Sequence, residues 1–218
     1  MHGAVVSLLA AERMPEGPAL ERVRLATTMG DIECRFRAAG GDAAVLWVFG
    51  ADGGFGGPAG GLYSRLGERL QKRGVASLEL DYRRPGQLTN CVMDVLTGLR
   101  WLEEEGKRRV VLVGHSFGGA VVISAGAVSP SVLAVAALSS QFAGASAVAQ
   151  LSPRPLLLIH GEADEVLPPA CSEELYGCAG QPRQIILYPR CRHGLDECRD
   201  ELDRDLDSWL GEALGLIT

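Results

Sequence analysis

The stretch Val110-Val111-Leu112-Val113-Gly114-His115-Ser116-Phe117-Gly118-Gly119-Ala120-Val121-Val122 decides how this chain folds. An apolar run leads straight into G-x-S-x-G, and small and apolar residues follow at a spacing that suits a helix. A strand that turns into a helix through this pattern holds Ser116 on a strained turn, with its hydroxyl exposed at the C-terminal edge of a sheet. Glycine is required at 114 and 118 because a Cβ there would collide with the neighbouring strand or helix. The start of the following helix offers free N–H groups and the positive end of a dipole. The Phe117 amide is therefore the nearest donor to an oxyanion developing beside Ser116. The competing reading, a Gly-rich turn with an incidental serine, does not account for the flanks.

Outward from this turn, short apolar runs alternate with longer segments of helical spacing. Residues 43–49, 75–80, 109–113, 132–138, 155–159 and 184–187 read as strands with little polar alternation, the pattern of a parallel sheet covered on both faces. Residues 60–73, 88–105, 118–128, 169–178 and 197–214 read as helices. Val92, Val95, Leu99 and Leu102 form one apolar stripe, and Leu202, Leu206, Trp209, Leu210 and Leu214 form another. Strand followed by helix, repeated, gives an α/β fold: a mostly parallel, doubly wound sheet with helices on both faces. Residues 20–38 add an antiparallel hairpin at one edge, turning near Met29-Gly30-Asp31. The segment 139–153 is too short for a cap domain, so the expected site is shallow and open.

The length of 218 residues suits one domain over 1–218 with a well-filled core. Hydrophobic residues at 47% and charged residues at 22% exclude a disordered chain. Twenty-one Lys and Arg against 27 Asp and Glu leave a net charge of −6, which disfavours nucleic acid and anionic membrane as partners. No apolar stretch approaches the roughly 20 residues of a membrane span. The run Ala4 to Ala11 resembles a signal core but has no basic residue before it, so the expectation is a cytoplasmic protein.

A serine hydroxyl becomes a nucleophile only when a base removes its proton, so a histidine held by a carboxylate should follow Ser116. The loop after Leu156-Leu157-Leu158-Ile159-His160-Gly161 carries Asp164, the expected acid, with Glu162 and Glu165 as weaker rivals. One strand later, Tyr188-Pro189-Arg190-Cys191-Arg192-His193-Gly194 carries His193, the expected base. His115 has its side chain directed away from that of Ser116, His160 ends a buried strand in a hydrogen-bonded structural role, and His2 sits at a terminus.

With Ser116, Asp164 and His193 in this order, the sequence resembles the α/β-hydrolase superfamily over about residues 43 to 214. The H-G-x-x-D loop from His160 to Asp164 and the His193-Gly194 pair belong to the likeness. The short distance from elbow to acid loop is similar to that of small lidless members such as the dienelactone hydrolase group. That group uses a cysteine nucleophile where this chain has Ser116, which favours ester hydrolysis over dienelactones specifically. The resemblance implies a second oxyanion donor in the loop Phe49-Gly50-Ala51-Asp52-Gly53-Gly54; Phe49 stands where histidine is common, and the Ala51 N–H is the expected donor.

Arg83 and Arg84 follow the strand 75–80 at the same edge and are candidates for a substrate carboxylate, since a guanidinium matches its geometry; a structural turn is the favoured alternative. Arg192 is a further cation expected near the mouth. The six cysteines lack the spacing of a zinc site, and neither metal nor cofactor is expected. Cys171 and Cys178 lie two helical turns apart and cannot bridge. A Cys191–Cys198 disulfide would flank His193, but free thiols are the favoured reading. The expected activity is hydrolysis of a small-molecule ester, or a related acyl bond, through an acyl-enzyme. An acyltransferase or cofactor-free perhydrolase with the same triad, and a non-catalytic binding module, are the rivals. Oligomeric state is left open.

Overall fold

A computed structural model describes residues 6–216. His2, with Ala4 and Val5 of the N-terminal apolar run, lies outside the described residues. Among the described residues nine strands form one sheet: β1 (Leu8–Gly17), β2 (Leu20–Thr27), β3 (Ile32–Arg37), β4 (Ala43–Val48), β5 (Ala76–Leu80), β6 (Arg109–His115), β7 (Val132–Leu138), β8 (Leu156–Gly161) and β9 (Arg183–Tyr188). Their order across the sheet is β1-β2-β3-β5-β4-β6-β7-β8-β9. The strands from β5 to β9 run parallel; β1, β2 and β3 pair antiparallel with one another, and β3 pairs antiparallel with β5.

The burial of each strand follows from its composition. All six residues of β4 (Ala-Ala-Val-Leu-Trp-Val) are buried, because helices cover both sides. In β2 and β3 buried and partly exposed residues alternate, as expected where one face meets solvent. Leu25 pairs with Ile32, so the turn between them falls at the anticipated Met29-Gly30-Asp31. The described residues also form five helices: α1 (Pro58–Lys72), α2 (Leu88–Glu104), α3 (Phe117–Val128), α4 (Ala170–Cys178) and α5 (Arg199–Ala213). The buried residues of α2, α3 and α4 share an apolar layer with Leu46, Val48 and Leu112 on one side of the sheet. Those of α1 and α5 share the opposite layer with Val45, Trp47 and Val113. Both anticipated stripes face the sheet.

Two boundaries and one strand differ from expectation. The first turn of α1 is not a right-handed helix: Ala59, Gly60 and Gly61 have φ of 51°, 59° and 97°, and regular helix begins at Leu62. A short 3-10 turn, Asp196–Cys198, precedes α5, where a continuous helix from 197 is the expectation. The sequence reading contains no counterpart of β1. Nine of its ten residues are exposed, so it buries no face and carries no apolar alternation. Between β7 and β8 the described chain forms only a 3-10 turn, Ser146–Leu151, and no cap.

Candidate active site

β6 delivers its last residue to the C-terminal edge of the sheet and hands directly to α3. Ser116 between them has φ 57° and ψ −122°, a conformation that costs a side-chain-bearing residue about 1–3 kcal/mol. The glycines on either side make the turn possible. A Cβ on Gly114 would stand 2.1 Å from the Gly118 carbonyl oxygen, and one on Gly118 would stand 2.2 Å from that of Phe49. The Ser116 N–H donates to the Leu138 carbonyl of the neighbouring strand at 2.8 Å, anchoring the turn to β7.

Three of the anticipated side chains meet here. His193 Nε2 lies 3.0 Å from Ser116 Oγ, and His193 Nδ1 lies 2.7 Å from Asp164 Oδ2. Asp164 is fully shielded from solvent, and its Oδ1 accepts the N–H groups of Val166 and Leu167, each at 2.8 Å. Burial pushes its carboxyl up, but the Leu167 amide, His193 and the Val166 amide outweigh burial and hold it below the usual carboxylate range. Glu162 and Glu165 are both exposed, so Asp164 is the carboxylate that the loop turns inward.

The other two described histidines are also engaged. His115 is buried, and its Nε2–H donates to the His193 carbonyl at 2.9 Å, with the two rings 4.9 Å apart. Burial lowers its pKa to about 4, so the ring is neutral near neutral pH. Its side chain thus supports the loop that carries the base. His160 is buried against Asp164 and Ser172. Neither contact is evident from the sequence alone, although the four-residue spacing from His160 to Asp164 is the signal that points to theirs.

On the other side of Ser116, the loop after β4 turns from Gly50 to Gly53, whose N–H donates to the Gly50 carbonyl at 3.1 Å. A Cβ on Gly50 would be 3.8 Å from Ser116 Cβ, so the loop that carries Ala51 lies against the serine. Among the described residues no acceptor takes the N–H of Ala51 or of Phe117. Two carboxylates of the β5 strand and its exit hold this loop, and sequence reasoning missed both. Asp81 Oδ1 accepts the Gly54 N–H at 2.7 Å, and buried Glu79 accepts the Gly56 N–H at 2.6 Å.

Arg83 corrects an expectation. Its guanidinium is nearly buried and ion-paired at 2.5 Å with wholly buried Asp94 of α2, and its own N–H donates to the same carboxylate. An inward-facing guanidinium must keep a carboxylate partner in the fold, so Arg83 is not available to a substrate. Arg84 is exposed on the same loop, which packs on the Ala51 loop through Gly86 and Pro85. Arg192 is exposed but paired with Glu197 at 2.6 Å. A second correction concerns the thiols: Cys191 and Cys198 form a disulfide, because the loop around His193 doubles back and brings their Cα atoms to 5.8 Å. Cys34, Cys91, Cys171 and Cys178 are free. Among the described residues no group of three His, Cys, Asp or Glu is arranged to hold a metal, and no helix is long and apolar enough to cross a membrane.

The model of the "Dienelactone hydrolase family" matches residues 50–208. "Uncharacterized protein YfhR" from Escherichia coli (strain K12) is 29% identical over 156 residues, covering 57% of this chain and 55% of that protein. The chain thus spans about half the length of the curated relatives it matches. Among solved structures, a dienelactone hydrolase from Anabaena variabilis has a TM-score of 0.76 at 18% identity, covering 94% of this chain and 99% of the other. The esterase domain of a Rhodothermus marinus protein has a TM-score of 0.72 at 18% identity, covering 88% and 98%. At such identities these structures speak for a shared fold, the α/β-hydrolase fold without a cap.

Proposed function

The chain belongs to the dienelactone hydrolase family, and from that premise we propose that it is a single-domain serine hydrolase that cleaves a small carboxylic ester, or a related acyl bond, through an acyl-enzyme. One observation carries this reading: His193 has Nε2 on Ser116 Oγ at 3.0 Å while its Nδ1 faces shielded Asp164 at 2.7 Å. His193 takes the Ser116 proton as Oγ attacks the carbonyl carbon, and returns it to the leaving alcohol. Asp164 keeps the Nδ1–H tautomer and stabilises the imidazolium. Water then repeats the cycle on the acyl-enzyme.

The oxyanion of each tetrahedral intermediate is taken by the N–H groups of Phe117 and Ala51, which have no acceptor in the described fold. Fixed donors of this kind are worth about 3–4 kcal/mol each in the transition state. With no cap over the site, compact acyl groups react faster than long ones, and an oil–water interface brings no activation. Arg84, the free cation of its loop, favours substrates that carry a carboxylate. A cytoplasmic location is part of this reading. Four free thiols fit a reducing compartment, whereas the Cys191–Cys198 bridge is the feature that weighs against it; cell fractionation decides between them.

The test is a panel of p-nitrophenyl esters of increasing acyl length together with labelling by a fluorophosphonate. One covalent adduct at Ser116 and turnover that falls with chain length support the proposal. An adduct elsewhere, or none, overturns it.

A further inference from the structure

A second histidine touches the carboxylate that holds the base. His160, the penultimate residue of β8, is wholly buried. Its Nε2 lies 3.0 Å from the Leu167 carbonyl oxygen and 3.1 Å from Asp164 Oδ2, and its Nδ1 lies 2.7 Å from Oγ of Ser172, which is wholly buried in the first turn of α4. A carbonyl oxygen can only accept, so Nε2 carries the proton, and Nδ1 accepts the Ser172 hydroxyl proton. Burial lowers the His160 pKa, so the ring donates without adding a positive charge.

We propose that His160, held in place by the Leu167 carbonyl and Ser172, is a positioning residue for the acid: its Nε2 edge, 3.1 Å from Asp164 Oδ2, keeps that oxygen aimed at His193 Nδ1. The inference rests on the reading of Ser116, His193 and Asp164 given above. Rotation of an aspartate carboxylate about its last bond is soft, so the orientation of this group is set by its donors. Oδ1 has two, the Val166 and Leu167 amides; Oδ2 has the His193 ring, and the Nε2 edge of His160 stands 3.1 Å away on its other side. Removing His160 leaves Oδ2 with the ring of the base alone. The carboxylate can then swing, and its charge is less dispersed, so it holds a protonated His193 more tightly.

The remaining titratable groups near the base are accounted for. His115 is neutral beside it, Arg192 is engaged by Glu197, and Glu165 is exposed.

The experiment compares His160→Leu, His160→Gln and Ser172→Ala by steady-state kinetics on a short ester and by NMR titration of the His193 ring, which needs no substrate. In His160→Leu, kcat falls on the order of 10²-fold with KM little changed, as a misplaced catalytic group implies. The His193 titration moves to higher pH, because the carboxylate it faces has lost a polar neighbour that disperses its charge. His160→Gln, whose amide N–H can reach the position of Nε2, recovers most of both. Ser172→Ala, which removes the hydrogen-bond partner of Nδ1 and lets the ring tilt, loses several-fold in kcat.

Wild-type kcat and titration in folded His160→Leu overturn the proposal. If that variant does not fold, wild-type behaviour of Ser172→Ala on both readouts overturns it, and a several-fold loss beside near-normal His160→Gln supports it. A His193 titration that moves as expected in a protein with no measurable ester turnover leaves the positioning role standing and removes the esterase reading instead.

Discussion

On the β8–β9 side of Ser116 the chemistry is carried by side chains in polar contact with one another, from Ser172 through His160, Asp164 and His193 to Ser116. On the β4–β5 side it is carried by main-chain N–H groups in a loop of glycines, which Asp81 and Glu79 hold from outside through the amides of Gly54 and Gly56. The first side needs particular residue types at particular positions, and a sequence displays those. The second needs a backbone path, which many sequences could trace. Damage to the first should therefore remove whole functional groups, and damage to the second should degrade a geometry.

The largest effect tests the first side. Ser116→Ala and His193→Ala should each lose on the order of 10⁴-fold or more in kcat/KM, and Ser116→Ala should lose the fluorophosphonate adduct. Asp164→Asn should fall nearly as far, whereas Glu162→Gln and Glu165→Gln stay within about two-fold, since both side chains are exposed and neither bonds to the triad. Rates that order Glu162 or Glu165 above Asp164, in folded variants, would break the assignment of the acid.

The same division explains what was legible beforehand. The G-x-S-x-G turn, the H-G-x-x-D spacing and the His-Gly pair carry their chemistry in residue identity, and strands apolar on both faces announce a covered sheet. β1 gave no sign because it buries almost nothing. The fate of Arg83 turns on Asp94, eleven residues away on α2, and no local pattern links the two. The Cys191–Cys198 bridge depends on where the loop around His193 doubles back, which spacing alone leaves open. Glu79 and Asp81 act on main-chain amides, an interaction that leaves no mark on the residue type of its partner.

The next prediction addresses the loop side. Gly53 has φ 71°, and a Cβ there would stand 2.4 Å from Asp81 Oδ1. Gly53→Ala should therefore displace the Ala51 amide and lower kcat by about 10²-fold, the usual value of one oxyanion donor, with far less change in KM. Asp81→Asn, which keeps an acceptor oxygen, should cost much less. If Gly53→Ala is as active as wild type, the Ala51 loop does not bear on the chemistry, and only the side-chain half of the comparison survives.

A third prediction concerns acid. The His115 pKa falls from 6.5 in the unfolded chain to about 4 in the fold. Above pH 6.5 both states are neutral and the group contributes nothing; between 6.5 and about 4 the unfolded chain binds a proton that the fold excludes. Stability is therefore lost as pH drops through that window, by up to about 3 kcal/mol. Urea titrations at pH 7 and pH 4.5 should differ by less in His115→Gln than in wild type. An unchanged difference would show that His115 does not drive the loss. Asp164, held below the usual range, loses its contribution only at lower pH still.

The smallest effect lies at the rim. Arg84→Ala should lower the preference for a carboxylated ester over its neutral analogue several-fold at low salt, about 1 kcal/mol, and high salt should erase the difference. A preference that ignores both the substitution and the salt would remove Arg84 from substrate selection.

β1 bears on a different property. Among the described residues β1 is an edge strand of the sheet, and a long flat edge of unpaired N–H and C=O groups is a template on which chains stack into aggregates. β1 is a poor template. Its pairing with β2 slips between Leu8 and Ala10 and again between Pro15 and Gly17, Pro15 has no N–H to offer, and Glu12, Arg13 and Glu16 crowd the strand with charge. Arg13 is tied to Glu21 and Glu105, which fastens the strand to the body. Without residues 8–17 the sheet would end at β2, an edge without those slips or that proline, and the change would be felt first in how concentrated a solution of the protein can be kept.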